Sequence, residues 1–203
     1  MTNNLEVLRA AFEAAGVSLP PGGAVAGPPL AIKGKSRVAQ DRVAVIRWVN
    51  ETDLVHWADR RDGQDKFPEL IRRLVLAEVG YHPEPRFPTG DSVAMHGWDG
   101  QTKNDTTSPI VPFGDAGWEL GTDKQPKIKA DKVYADRTKN PLHTDQKITT
   151  FVFATPRRWA QKAEWVKSKN AEKHWKEVRA LDAVDLVQWL ERLPGVPYGL
   201  RRF

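Results

Sequence analysis

The chain has 203 residues and a formal net charge of +5, with a sequence pI near 9.5. It carries 31 Lys and Arg against 26 Asp and Glu, so a polyanionic partner is compatible with its charge. There is no cysteine, which excludes disulfides, thiolate metal sites and cysteine nucleophiles, and fits a reducing compartment. No run of about 18 apolar residues is present to span a membrane. The N-terminus lacks the basic-then-apolar order of a secretory signal, and the expected location is the cytoplasm.

Residues 5–15 repeat apolar side chains at helical spacing, through Leu5, Leu8 and Phe12. A Gly- and Pro-rich stretch follows and reads as a linker. The expected organisation is therefore an N-terminal helix and linker over 1–40, then an α/β domain over 41–203. Val43–Val49 is a strand candidate from its β-branched content. Asn50 or Thr52 is positioned to cap a helix through Leu54, Trp57 and Ala58. The polar run RRDGQDKF reads as a break. Pro68 would then open a helix carrying the stripe Leu70, Ile71, Leu74, Val75 and Val79, ended by Gly80.

A short strand is expected from Val93 to Trp98, running into Asp99-Gly100. After a polar loop, a second strand holds Gly117–Leu120, and Pro126 starts a helix to about Thr138, with Ile128, Val133 and Tyr134 facing inward. Ile148–Thr155 is a continuous β-branched and aromatic run, the pattern of a strand buried on both faces. A basic helix follows, with Trp159, Ala163, Trp165 or Val166, and Trp175 on its apolar side. Glu177–Leu181 reads as another strand, and Asp182 or Asp185 caps a last helix with the stripe Leu186, Trp189 and Leu190. Strands alternating with helices imply an α/β fold with a mixed central sheet flanked by helices.

Asp99 and Glu119 fall on neighbouring strands that can pair as a hairpin and bring two carboxylates together. Oxygen donors of this kind suit a hard divalent cation, Mg²⁺ or Mn²⁺. A lysine nearby would supply charge to a phosphate transition state. The competing readings are a turn role for Asp99, next to Gly100, and a structural salt bridge from a lysine to Glu119, a charge set between Trp118 and Leu120. Residues 124–139 hold six Lys and Arg against two Asp, and 156–180 hold eight against three Glu. Positive charge is thus concentrated around the carboxylates, as phosphate binding requires, although a solvated helix face would give the same pattern over 160–179. Five histidines (56, 82, 96, 143 and 174) show no metal-ligand spacing, and His96 lies three residues from Asp99.

In their order, Gly97-Trp98-Asp99-Gly100, the apolar strand ending in Glu119, the helix, ITTFVFATPRRW, a helix and VRALDAVDLVQWL resemble the PD-(D/E)xK nuclease superfamily, most closely its Mrr-type restriction endonuclease branch. The resemblance spans about residues 65–192. It implies a restriction endonuclease-like sheet and metal-dependent hydrolysis of DNA phosphodiesters. Asp99 and Glu119 would hold Mg²⁺ or Mn²⁺, with the Leu120 main-chain carbonyl as a further ligand. The family places a lysine two residues after the second carboxylate, and here that residue is Gly121. The resemblance then implies a lysine relocated to the following helix, Lys129 first and Lys127 second. Lys124, Arg157 and Arg158 are the expected contacts to nucleic acid. A homodimer, a place in restriction or anti-phage defence, and membership of a larger protein or complex are further expectations. The alternative is an inactive module of the same fold that binds nucleic acid or a protein partner.

Overall fold

The computed structural model describes residues 49–80, 85–88 and 97–193. The expected N-terminal helix, the linker and most of the Val43–Val49 strand lie outside them, as do Val93–His96. Among the described residues five helices surround four strands. In chain order these are α1 (Glu51–Asp59), α2 (Arg61–Val79), β1 (Gly100–Asn104), β2 (Gly114–Leu120), α3 (Pro126–Lys139), β3 (Thr150–Ala154), α4 (Lys162–Ala171), β4 (Glu177–Leu181) and α5 (Ala183–Arg192). The sheet order is β1-β2-β3-β4. β1 and β2 form the antiparallel hairpin, and β2, β3 and β4 are parallel. This is the α/β architecture with a mixed sheet that the alternating elements imply.

The two faces of the sheet carry separate cores, because side chains along a strand alternate. Trp118 and Leu120 of β2 and Val152 and Ala154 of β3 point to one face, under α2 and α5. Phe151 and Phe153 point to the other, where Trp98, Tyr134, Trp159, Trp165 and Trp175 pack with them. Every residue of β3 is buried, as its unbroken apolar run requires. Glu119 lies between Trp118 and Leu120 in sequence and so faces the aromatic side, beneath α3.

Several expectations need correction. The polar run after α1 is no break: α2 begins at Arg61 and continues through Pro68, with Gly63 and Phe67 buried about two turns and one turn before Leu70 and Ile71. Gly63 permits this, since a Cβ there would run into the main-chain carbonyl of Trp57. The first strand of the hairpin starts after Asp99 rather than before it. Ile128 is 63% exposed, because the buried stripe of α3 runs through Ala130, Val133 and Tyr134, off its position. Gly80 ends α2 as expected, and of the paired cap candidates Asn50 caps α1 and Asp182 caps α5.

The β4 edge is blocked from within. Asn170, near the end of α4, donates to the Val178 carbonyl (2.8 Å) and accepts from the Val178 N–H (2.9 Å), imitating a paired strand. Asn170→Ala is expected to cost about 1 kcal/mol and to leave the edge open to association. A lowered denaturant midpoint together with concentration-dependent light scattering would check both effects.

Candidate active site

The hairpin register places Gly100 opposite Trp118. One step further along, Asp99 comes opposite Glu119. The two are tied together, since the Leu120 N–H donates to Asp99 Oδ2 at 2.7 Å. Asp99 is therefore more than a turn residue. It grips the end of the strand that carries the second carboxylate. In an extended strand a residue's N–H and C=O project to the same side, so the Leu120 carbonyl is directed towards Asp99 as well.

Both carboxyls are held above their ordinary range. For Glu119 the largest cause is burial and the second is the neighbouring Asp99 charge, which together push it up to about 7 against the opposing pull of Arg137. Burial likewise raises Asp99, opposed by the Leu120 N–H, Lys129 and Arg137. Only one oxygen of each acid is engaged by the described residues: Asp99 Oδ2 by Leu120, and Glu119 Oε1 by Arg137. Asp99 Oδ1 and Glu119 Oε2 are left for another donor or a cation. Among the described residues no group of three or more His, Cys, Asp or Glu converges, so a cation here would rest on two carboxylates, a main-chain carbonyl and water. That donor set is hard and oxygen-only, which fits Mg²⁺ or Mn²⁺.

Lys129 occupies the space that Gly121 leaves. A Cβ built on Gly121 would stand 2.9 Å from Lys129 Cγ and 3.1 Å from Phe153 Cζ, so the lysine stem crosses directly over the glycine. The Lys129 ammonium has no ion pair or hydrogen bond among the described residues, and its charge acts on both Asp99 and Glu119. Lys127 lies elsewhere: exposed, it forms an (i,i+4) pair with Asp131 at 2.8 Å.

Arg137 is the residue that sequence reasoning missed. Its Nε donates to Glu119 Oε1 and its Nη2 to the Gly97 carbonyl. The guanidinium carbon lies 5.2 Å from the centroid of the Trp98 ring. The expected structural partner of Glu119 was a lysine, and an arginine takes that role. Its position was detectable. Ala130, Val133 and Tyr134 form the buried stripe of α3, and Arg137 continues it at i+7 from Ala130, where a charge requires a partner.

The expected nucleic-acid contacts divide. Arg157 is buried, and its guanidinium is spent within the fold. Nε donates to the Thr122 carbonyl (2.7 Å), Nη1 to Val55 O (3.1 Å) and Asp59 Oδ1 (2.8 Å), and Nη2 to Ala58 O (3.1 Å). The Ala58 bond satisfies an orphan carbonyl in the last turn of α1, and the set fastens α1 to the segments that follow β2 and β3. Arg157 is thus corrected from phosphate contact to structural clamp. Arg157→Lys is expected to lose about 2 kcal/mol of stability, since the ammonium cannot reproduce the fork. Chemical denaturation would measure that loss, and the salt dependence of any nucleic-acid binding should not change. Arg158 is exposed and donates to Thr52 Oγ1 at 2.9 Å. Lys124 is exposed beside Asp59, Gln64, Thr122 and Asp123. Both remain on the surface. His96 lies outside the described residues.

A separate groove runs along β1, lined by Arg86, Gln101, Lys103, His143 and Ile148 among others, and includes none of the expected site residues. No helix among the described residues is long and apolar enough to cross a membrane. Comparison with protein-family models, curated proteins and solved structures found no match to this chain.

Proposed function

We propose that the chain is a metal-dependent nuclease with a restriction endonuclease-like fold, hydrolysing DNA phosphodiesters with Mg²⁺ or Mn²⁺. Asp99, Glu119 and the Leu120 carbonyl would hold the cation, and Lys129 would neutralise charge developing on the phosphate. When bound, the cation would polarise a phosphoryl oxygen and acidify a water. The observation that carries this reading is the passage of Lys129 over Gly121. The side chain absent from the family's usual lysine position is replaced in space by a lysine from α3, its charge reaching the two carboxylates. The sheet order and the hairpin that joins Asp99 to Glu119 agree with the resemblance. A role in restriction or anti-phage defence, as a homodimer or within a larger assembly, follows from the resemblance alone.

A second reading has its own support. Arg137 already places a positive charge on Glu119, which suits a module of this fold that binds nucleic acid or a protein without cutting. Incubating the protein with supercoiled plasmid in Mg²⁺ or Mn²⁺, beside an EDTA control, separates the two. Cation-dependent nicking supports the nuclease. Salt-sensitive gel shifts with no nicking under either cation support the binding module, and neither response leaves a protein partner as the reading.

A further inference from the structure

Arg137 has no part in the chemistry above, yet it is the residue most firmly engaged with the carboxylate pair. It stands in the last turn of α3. One face of its guanidinium lies on Trp98, and its two donors reach opposite sides of the site: Glu119 on β2 and the Gly97 carbonyl just ahead of Asp99. The Trp98 indole is itself fixed, its Nε1–H donating to Thr144 Oγ1 at 3.2 Å and its ring packed against Gly117. The arginine is therefore held from three directions over one oxygen of an acid that a divalent cation would need.

Resting on the cation-binding reading above, we propose that Arg137 is a resident counter-charge that competes with the divalent cation for Glu119. Without the cation it balances the Glu119 charge wherever that acid is ionised and keeps the segment from Gly97 to Asp99 against β2. When a cation enters between Asp99 and Glu119, the Glu119–Arg137 pair opens. The guanidinium retains Trp98 and the Gly97 carbonyl as anchors, so it can yield the carboxylate without leaving the site. A positive charge within contact of one ligand opposes a dication strongly in a buried setting. The same residue thus makes the empty site stable and sets the concentration at which the cation binds.

The test is Mn²⁺ affinity, read by isothermal titration calorimetry and by the loss of the free Mn²⁺ paramagnetic resonance signal, on the full chain without DNA. Arg137→Gln is expected to bind Mn²⁺ at least tenfold more tightly than wild type. Arg137→Lys keeps the charge and is expected to stay within about threefold. Equal or weaker binding by Arg137→Gln, with wild type binding normally, overturns the competition and leaves the cation site standing. No binding by wild type, Arg137→Gln or Arg137→Lys overturns the cation site itself and the competition with it. A second measurement serves if Arg137→Gln does not fold. In wild type, the Arg137 Nε–H resonance, assigned by its loss in Arg137→Lys, is expected to shift and exchange faster on Mg²⁺ saturation. An unchanged resonance at saturation overturns the proposal.

Discussion

Lys129→Ala is expected, on the nuclease reading proposed above, to lower plasmid cleavage by about 10²- to 10³-fold, the usual cost of removing one preorganised charge from a developing oxyanion. Asp99→Ala and Glu119→Ala are expected to abolish cleavage together with cation binding. Lys127→Ala is expected to leave the rate near wild type, because that ammonium is exposed and paired with Asp131. Gly121→Ala supplies an independent lever. Its added Cβ would stand 2.9 Å from Lys129 Cγ, closer than carbon atoms pack, so the lysine stem must shift off its path. About a tenfold loss in rate is expected from that displacement. Combining Gly121→Ala with Lys129→Ala should add nothing beyond the lysine loss, since both act through one side chain. Single-turnover cleavage of plasmid by the five single variants and the double variant measures all of this. Full activity in Lys129→Ala, with Glu119→Ala inactive, would remove the lysine from the chemistry.

The parts of the fold legible in the sequence are those where one local rule decides. β3 is apolar throughout because both faces are covered, and TFVFA could be read as such a strand with no knowledge of its neighbours. Asp182 and Asp185 form a reciprocal capping box at α5, a purely local signal. The start of α2 was illegible because RDGQDKF is polar in composition. Its helical register rests on two residues, Gly63 and Phe67, whose importance comes from contact with α1. The boundary at Asp99 was displaced for a related reason. Gly97-Trp98 looks like strand, but the Trp98 indole is drawn across Gly117 towards Thr144, and regular pairing begins only at Gly100.

In the site, the carboxylate pair was legible as a possibility, because a hairpin brings residues near its open ends together and the spacing allows Asp99 and Glu119 to be such residues. Lys129 and Lys127 are alike in composition and spacing. What separates them is helix phase: Lys129 rises over Gly121, and Lys127 pairs outward with Asp131. Arg157 misled because an Arg-Arg step after a strand has the look of a phosphate contact, while its donors answer to carbonyls of α1, about a hundred residues earlier in the chain. Long-range hydrogen bonding of this kind leaves no trace in local sequence. Arg137 did leave one, on the buried stripe of α3.

Glu119 also makes folding stability depend on pH, in a direction opposite to that of a salt-bridged surface acid. Burial and Asp99 raise its carboxyl from 4.5 to about 7. Between those values the folded chain keeps a proton that the unfolded chain has released. The folded state therefore binds more protons, and stability falls as pH rises through the window, levelling off above about 7. The size follows from the same two values and is about 3 kcal/mol. Glu119→Gln retains the shape and removes the titration. Relative to wild type it is expected to gain up to about 3 kcal/mol between pH 4.5 and 7.5. Urea denaturation at pH steps through that range, with EDTA present, measures the difference. Parallel curves would show that Glu119 ionises in the folded chain as it does in the unfolded one. Replacing EDTA with Mg²⁺ extends the argument. A cation binds only the ionised acid, so its affinity should rise with pH up to about 7. Its binding energy then adds to wild type alone, and the wild-type curve should climb back towards that of Glu119→Gln as Mg²⁺ is raised at pH 7.5.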